Sequence, residues 1–250
     1  LGNDSAPGNG PANVVFTRNI FCSRLEAFQI RGSVVVEHNW FSKSAHGATI
    51  QGRGTNRAIV RQNVFKNESA LVIRCSFMGR IEELEVHNNV LHASEFPIVF
   101  HAVGSTSIHP RVSAISNNWM SSGKDYGIVL RPEDLKEFKD HWLIGPNAHS
   151  TVPQRGLLTP IGKTMGTMIG GKAMPTALCW PLHDRDLISA SPFISTDPLD
   201  TLHFCRIAMD SPLAKGGAGG ELPHYFGAFP PGPAPKEGDW FTRLLEKGRK

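Results

Sequence analysis

The chain has 250 residues, a formal net charge of +4 and a pI near 9.0. That length can bury a proper core, so one elongated domain, or one domain with a cap, is expected. The charge is too mild to indicate nucleic acid, and without a run of about 18 apolar residues the sequence carries no membrane span.

Residues 1–12, LGNDSAPGNGPA, read as a flexible, glycine-rich leader. Leu1 opens no signal-peptide pattern. Nothing before Asn13 reads as a cap for the repeats that follow, so further repeats upstream, with part of an active site, are expected.

From residue 13 to 144 the chain repeats itself. The octet VVVEHNWF at 34–41 recurs as VVFTRNIF at 14–21, AIVRQNVF at 58–65, LEVHNNVL at 84–91 and SAISNNWM at 113–120. A weaker copy, KEFKDHWL at 136–143, puts His141 in the asparagine's place. The aligned asparagines are Asn19, Asn39, Asn63, Asn89 and Asn118, at intervals of 20, 24, 26 and 29 residues. Phe16, Val36, Val60, Val86 and Ile115 stand three positions earlier, and an apolar pair follows each asparagine. A second motif (FQIRG, ATIQG, LVIRC, IVFHA, IVLRP) places Ile30, Ile50, Ile73, Phe100 and Leu130 some 10 to 12 residues downstream.

Alternation around each asparagine has period two, which excludes a helical repeat, and the β-branched and aromatic content agrees. The constant polarity of the motif fits strands stacked in parallel about 4.8 Å apart, with turns of variable length between them. The fold expected is all-β: a right-handed, single-stranded parallel β-helix of about six coils with a loop-rich C-terminal cap.

Over residues 13–143 the two linked motifs resemble the right-handed parallel β-helix proteins of the pectin-lyase-like superfamily. The resemblance implies that the asparagines form a stacked ladder at the turn between the second and third strands of each coil. Asparagine tolerates the left-handed backbone a sharp corner needs, and its amide can bond to the copy one coil away. The resemblance also makes the IRG-type segments the first strands, whose sheet floors the substrate groove in enzymes of this kind.

On that layout Arg31, Gln51, Arg74, His101 and Arg131, each following an inward apolar position, form one outward row. Guanidinium forks spaced along a groove suit a linear chain carrying carboxylates or sulfates. Glu68, Glu95 and Asp125 lie five residues before the inward position on three successive coils. Stacked carboxylates would stand about 5 or 10 Å apart, near the separations of retaining and inverting glycosidases. β-Elimination from a uronate is the other chemistry. Arg74 and Arg131 would neutralise the carboxylate, His101 or Lys124 would take the α-proton, and Tyr126 would protonate the leaving oxygen. The aspartate clusters of pectate lyases and polygalacturonases are absent from the row. No cofactor is expected; calcium is left open, with no clear ligand cluster for it.

Other features carry less. His38 and His87 flank the ladder at what read as equivalent positions. Cys22, Cys75, Cys179 and Cys205 lie far apart with no C-x-x-C pair, which speaks against zinc and leaves their disulfide state open. GLLTPIGKT at 156–164 has five residues before Gly162-Lys163-Thr164 where a phosphate-binding loop needs four, so it reads as a loop. Residues 145–230 read as a loop insertion followed by a closing segment; from Ser191 on it resembles the capping segment of secreted β-helix proteins, which implies a Ser211-Pro212 turn and a final strand at Gly227-Ala228-Phe229. Residues 231–250 read as a proline-rich linker and a short basic amphipathic tail docking through Trp240, Leu244 and Leu245.

The expectation is a monomeric, extracytoplasmic protein, secreted, periplasmic or on the cell surface. It binds an acidic polysaccharide and cleaves it as a lyase or glycoside hydrolase; the rival is a non-catalytic surface, adhesion or glycan-recognition scaffold.

Overall fold

The structure, a computed structural model, describes residues 14–24, 29–51, 55–76, 81–103, 110–130, 132–155, 157–158, 177–190 and 192–248. The first pass of the chain gives β1 (Val14–Thr17), β2 (Ile20–Cys22) and β3 (Gln29–Arg31). The second gives β4 (Val34–Glu37), β5 (Trp40–Ser42) and β6 (His46–Gln51). In the third and fourth, one long strand runs through the last two positions: β7 (Thr55–Arg61) with β8 (Val64–Ser76), then β9 (Ile81–His87) with β10 (Val90–Val103). The fifth is β11 (Val112–Ser116), β12 (Trp119–Ser122) and β13 (Ile128–Leu130). Helix α1 (Pro132–Phe138) then leads into β14 (Trp142–Ile144) and β15 (Ala148–His149). Short strands β16 (Leu157–Leu158), β17 (Ala177–Cys179) and β18 (Leu187–Ile188) follow, and α2 (Trp240–Gly248) is the last element of the described residues.

One sheet stacks β1, β4, β7, β9, β11 and β14 in parallel, and the strands after the asparagines stack in parallel beside it. The chain is a parallel β-solenoid. Its core is built row by row. Val36, Val60, Val86 and Ile115 are in register and fully buried, while Val35 and Glu37 on the alternate positions are half-exposed. Phe21, Phe41 and Phe65 stack face to face at 4.7 and 4.4 Å, so the row after the ladder becomes an aromatic column inside the coil. Ile50, Ile73 and Phe100 close the third side.

The five passes that cover all three sides make four coil-to-coil steps, so the stack amounts to about four turns rather than six. The last pass supplies only β14 and the two-residue β15, and the place beside β13 goes to antiparallel β17. KEFKDHWL is not a sixth copy. Its first half belongs to α1, which opens on Pro132 with acidic residues behind it and carries Lys136 in its last turn. Phe138 stacks on Trp142 at 5.0 Å and Trp142 on Trp180 at 5.5 Å, so α1 and the segment after β17 plug this end of the core.

The true sixth copy is WLIGPNAH, residues 142–149, with Ile144 in register with Ile115 and Asn147 in the ladder. From Asn19 to Asn118, each ladder asparagine's backbone N–H and side-chain amide both donate to the next asparagine's Oδ1, at 2.9–3.1 Å. At the far end Asp186 takes the place of a seventh asparagine. Its Oδ1 accepts the Asn147 N–H at 2.6 Å, and β18 pairs with β15 just beyond. The left-handed residue is the one before the ladder, not the asparagine itself: Arg18, His38, Gln62, Asn88 and Asn117 all have φ between 53 and 57°. In the sixth copy Gly145 takes positive φ, ahead of a cis Pro146.

Residues 192–248 form a strand-poor layer. The outward row directly after the ladder (Trp40, Val64, Val90, Trp119, Ala148) packs against Phe204, Ile207, Leu213, Phe226, Phe229 and Phe241. The layer therefore runs along the flank of several coils. Its Ser211-Pro212 turn is present, capped by Ser211 Oγ accepting from Leu213 N. The expected Gly227–Phe229 strand is absent; those residues bend instead, and Gly227 N donates to Asn117 O at 2.9 Å. Asn88 and Asn117, the corner residues of two Asn-Asn pairs, donate from their amides to Tyr225 O and Pro223 O. In each pair the first asparagine holds the outer layer and the second holds the ladder.

Candidate functional site

Two regions bear on chemistry: the face formed by β3, β6 and the second halves of β8 and β10, and the corner leading into it. Along the face, Arg31 pairs with Gln51, Gln51 with Arg74 and Arg74 with His101. The four residues therefore stand in one register row, about 4.8 Å from strand to strand. Gln51, Arg74 and His101 each follow a buried inward residue, Ile50, Ile73 or Phe100. Arg31, Arg74 and His101 are fixed at the level of strand and register. Arg131, like Gly162-Lys163-Thr164, lies outside the described residues.

Two positions earlier on the same strands the row is Thr49, Val72, Val99, Val129 and Cys179, also in register. Periodicity puts it on the side of the sheet away from Ile73, yet Val72 is 3%, Val99 1% and Val129 0% exposed. With Phe96, Ala177 and Tyr126 these residues form their own apolar cluster. The row of predicted binding residues thus borders a closed apolar seam. Burial of the Cys179 thiol in it raises its pKa, which marks an inert side chain.

At the corner, register passes from Asn67↔Ala93 to Ser69↔Phe96, so Ser94 and Glu95 together face Glu68 across a β-bulge. A bulge re-aims side chains at a sheet corner. Glu95 meets Lys124 in a short ion pair, and Ser122 Oγ donates to the Glu95 carbonyl. The hydrogen bond to Glu95 is the main cause that raises the Lys124 pKa, followed among charges by Glu95, Tyr126 and Glu68. At neutral pH Lys124 is held as a cation, suited to neutralising an anion rather than to abstracting a proton. Tyr126 lies flat on Phe96, ring centroids 5.3 Å apart. Asp125 does not join the other two carboxylates. Its φ is 55°, and its Oδ1 accepts from Thr151 Oγ1 at 2.7 Å. The corner thus gathers Glu68, Glu95, Lys124 and Tyr126, with Asp125 turned to the next loop.

Gln154 ties that corner to a hollow of about 430 Å³. Its side-chain amide donates to Lys124 O and its backbone N–H to Asp125 O, while Arg155, Cys179 and Trp180 line the same hollow. These residues escaped the sequence reading because they come from the irregular stretch after the repeats.

His38 and His87 are not equivalent. His38 is a left-handed corner residue tilted against Trp240 at 5.6 Å, whereas His87 sits one position earlier, in register with Arg61. Among the described residues no three His, Cys, Asp or Glu side chains come together as a metal group. No protein-family model, no curated protein and no solved structure matches the chain.

Proposed function

We propose that the chain is an extracytoplasmic, carbohydrate-active β-helix protein of the pectin-lyase-like type that binds an acidic polysaccharide along the face that carries Arg74 and His101 and cleaves it there. The observation that carries this reading is the in-register row Arg31–Gln51–Arg74–His101. A linear polymer repeats its charge along one axis, and a row of donors on successive coils repeats along one axis too. Guanidinium forks grip carboxylate or sulfate in bidentate fashion.

Elimination is the chemistry proposed for this row. Arg74 and Arg131 neutralise the uronate carboxylate. His101 takes the proton α to that carboxylate, the C–O bond to the leaving sugar breaks, and water returns a proton to the departing oxygen; Tyr126, stacked on Phe96 five residues before His101 along the strand, stands about 16 Å from that base. The products are an unsaturated sugar and a new chain end.

One observation favours a non-catalytic scaffold instead. Lys124 and Glu95 already neutralise each other, and Asp125 is bound to Thr151. Uronate-rich and sulfated glycans, assayed for ultraviolet-absorbing unsaturated ends and for reducing ends, separate the two. A lyase gives both signals, a hydrolase the second, a scaffold neither. Arg74→Ala is expected to weaken polymer binding about tenfold and His101→Ala to abolish turnover, with folding unchanged. Full binding and activity in both variants would remove the proposed groove.

A further inference from the structure

The outward row after the ladder has an uneven profile. Trp40, Val64, Val90 and Trp119 are in register on four successive coils, so two small residues lie between two large ones. The indole positions are about 14 Å apart. The C-terminal layer roofs this notch instead of filling it. Phe204 packs edge-on to Trp40 at 6.0 Å, and Phe193 edge-on to Trp119 at 4.6 Å. What remains is a cavity of about 260 Å³ with a valine floor and aromatic walls.

One margin of the cavity is polar. Lys66, His92 and Ser121 are in register two residues beyond the floor row, and all three line the cavity with Thr196 of the outer layer. His92 Nδ1 stands 3.2 Å from Ser121 Oγ. Burial, then the neighbouring Lys66 charge, lowers the His92 pKa, so the imidazole is neutral and hydrogen-bonds at neutral pH. The Cys205 thiol, pushed up to about 12 by burial, adds only apolar wall. The Trp40 indole N–H is buried and without a partner among the described residues.

We propose that this cavity is a binding site for a single hexuronate ring. The volume suits one ring rather than a drug-sized ligand. The negative faces of the indoles attract the C–H face of a pyranose. Lys66 takes the carboxylate in a charge-assisted bond. His92, Ser121 and Thr196 offer partners for several hydroxyls, more than a bare aromatic acid would use. The site lies against the strands that directly follow the ladder, with Val64 ten residues before Arg74 along β8, and so is distinct in place from the proposed groove.

The test is titration of the full chain with sodium D-glucuronate, read by tryptophan fluorescence and by calorimetry. Affinity is expected on the order of 1 mM, with D-glucose about tenfold weaker because it lacks the carboxylate. Lys66→Ala, at an exposed position, is expected to erase that preference; Val64→Phe fills the notch and is expected to abolish binding. Equal binding of glucose and glucuronate, glucuronate binding unchanged in Lys66→Ala, or no saturable response would each overturn the site. Polymer binding without glucuronate binding would sink this proposal and leave the groove standing, and the reverse result would do the opposite.

Discussion

At the scale of single residues, the ladder asparagines hold the solenoid's corner together, and their value differs along the stack. Asn63 is fully buried: its Oδ1 accepts from both the backbone and the side chain of Asn39, and its amide donates to Val36 O, Arg61 O and Asn89 Oδ1. Removing it strands a buried N–H and two carbonyls inside a low-dielectric corner. Asn63→Ala is therefore expected to lower stability by about 2–4 kcal/mol in urea denaturation. Asn19 is half-exposed and, among the described residues, links to the ladder on one side only, so Asn19→Ala is expected to cost less than about 1 kcal/mol. Equal losses would mean that the ladder does not work through burial. The ladder was legible in sequence because the same residue recurs in the same apolar frame. The left-handed residue was not, since Arg18, His38, Gln62, Asn88 and Asn117 share a conformation but no chemistry.

At the scale of elements, the repeats could be read up to the fifth copy and failed at the sixth. There Gly145-Pro146 replaces the usual corner and β15 is two residues long, so WLIGPNAH lost the profile of the octet while KEFKDHWL kept a false likeness. The helical tail was readable from its amphipathic spacing, but its fastening came from a residue with no local signal. Arg206 is 2% exposed, donates to Pro230 O at 2.9 Å, pairs with Asp239 and lies 5.0 Å from the Phe229 ring. Asp239 Oδ1 in turn accepts the N–H groups of Phe241 and Thr242, capping α2. Arg206→Met leaves that carboxylate buried without its counter-ion, at a cost of about 3 kcal/mol. The expected outcome is faster proteolysis between residues 231 and 239, with release of α2. Arg206→Met combined with Asp239→Asn is expected to recover part of the protection. If both variants are cut as slowly as the wild type, the pair does not anchor the helix.

At the scale of the whole molecule, the solenoid and its flanking layer are joined along a seam in which three histidines share one bias. Burial is the first cause that lowers the pKa of His38, His87 and His92; Arg18 and Arg61 add to it at His38, Arg61 at His87 and Lys66 at His92. Glu37 opposes it at His38, and the Asn88 hydrogen bond and Glu85 oppose it at His87. Each residue touches the seam or its anchor: His38 meets Trp240, His87 lies beside the Asn88 side chain that holds Tyr225 O, and His92 borders the cavity under Phe204. A histidine whose folded pKa lies below its unfolded value binds fewer protons when folded, so folding stability rises with pH. The stability is fully present above the unfolded value of about 6.5 and is lost as pH falls through the folded values. The thermal midpoint is accordingly expected to hold between about pH 7 and 8 and to fall steadily from about 6.5 towards 5, with the layer of residues 192–248 exchanging its amide hydrogens before the ladder does. His38→Gln keeps the size and polarity of the corner without its titration, and it is expected to flatten that fall. A midpoint independent of pH across the window, or ladder amides that exchange first, would show that the histidines do not control the seam.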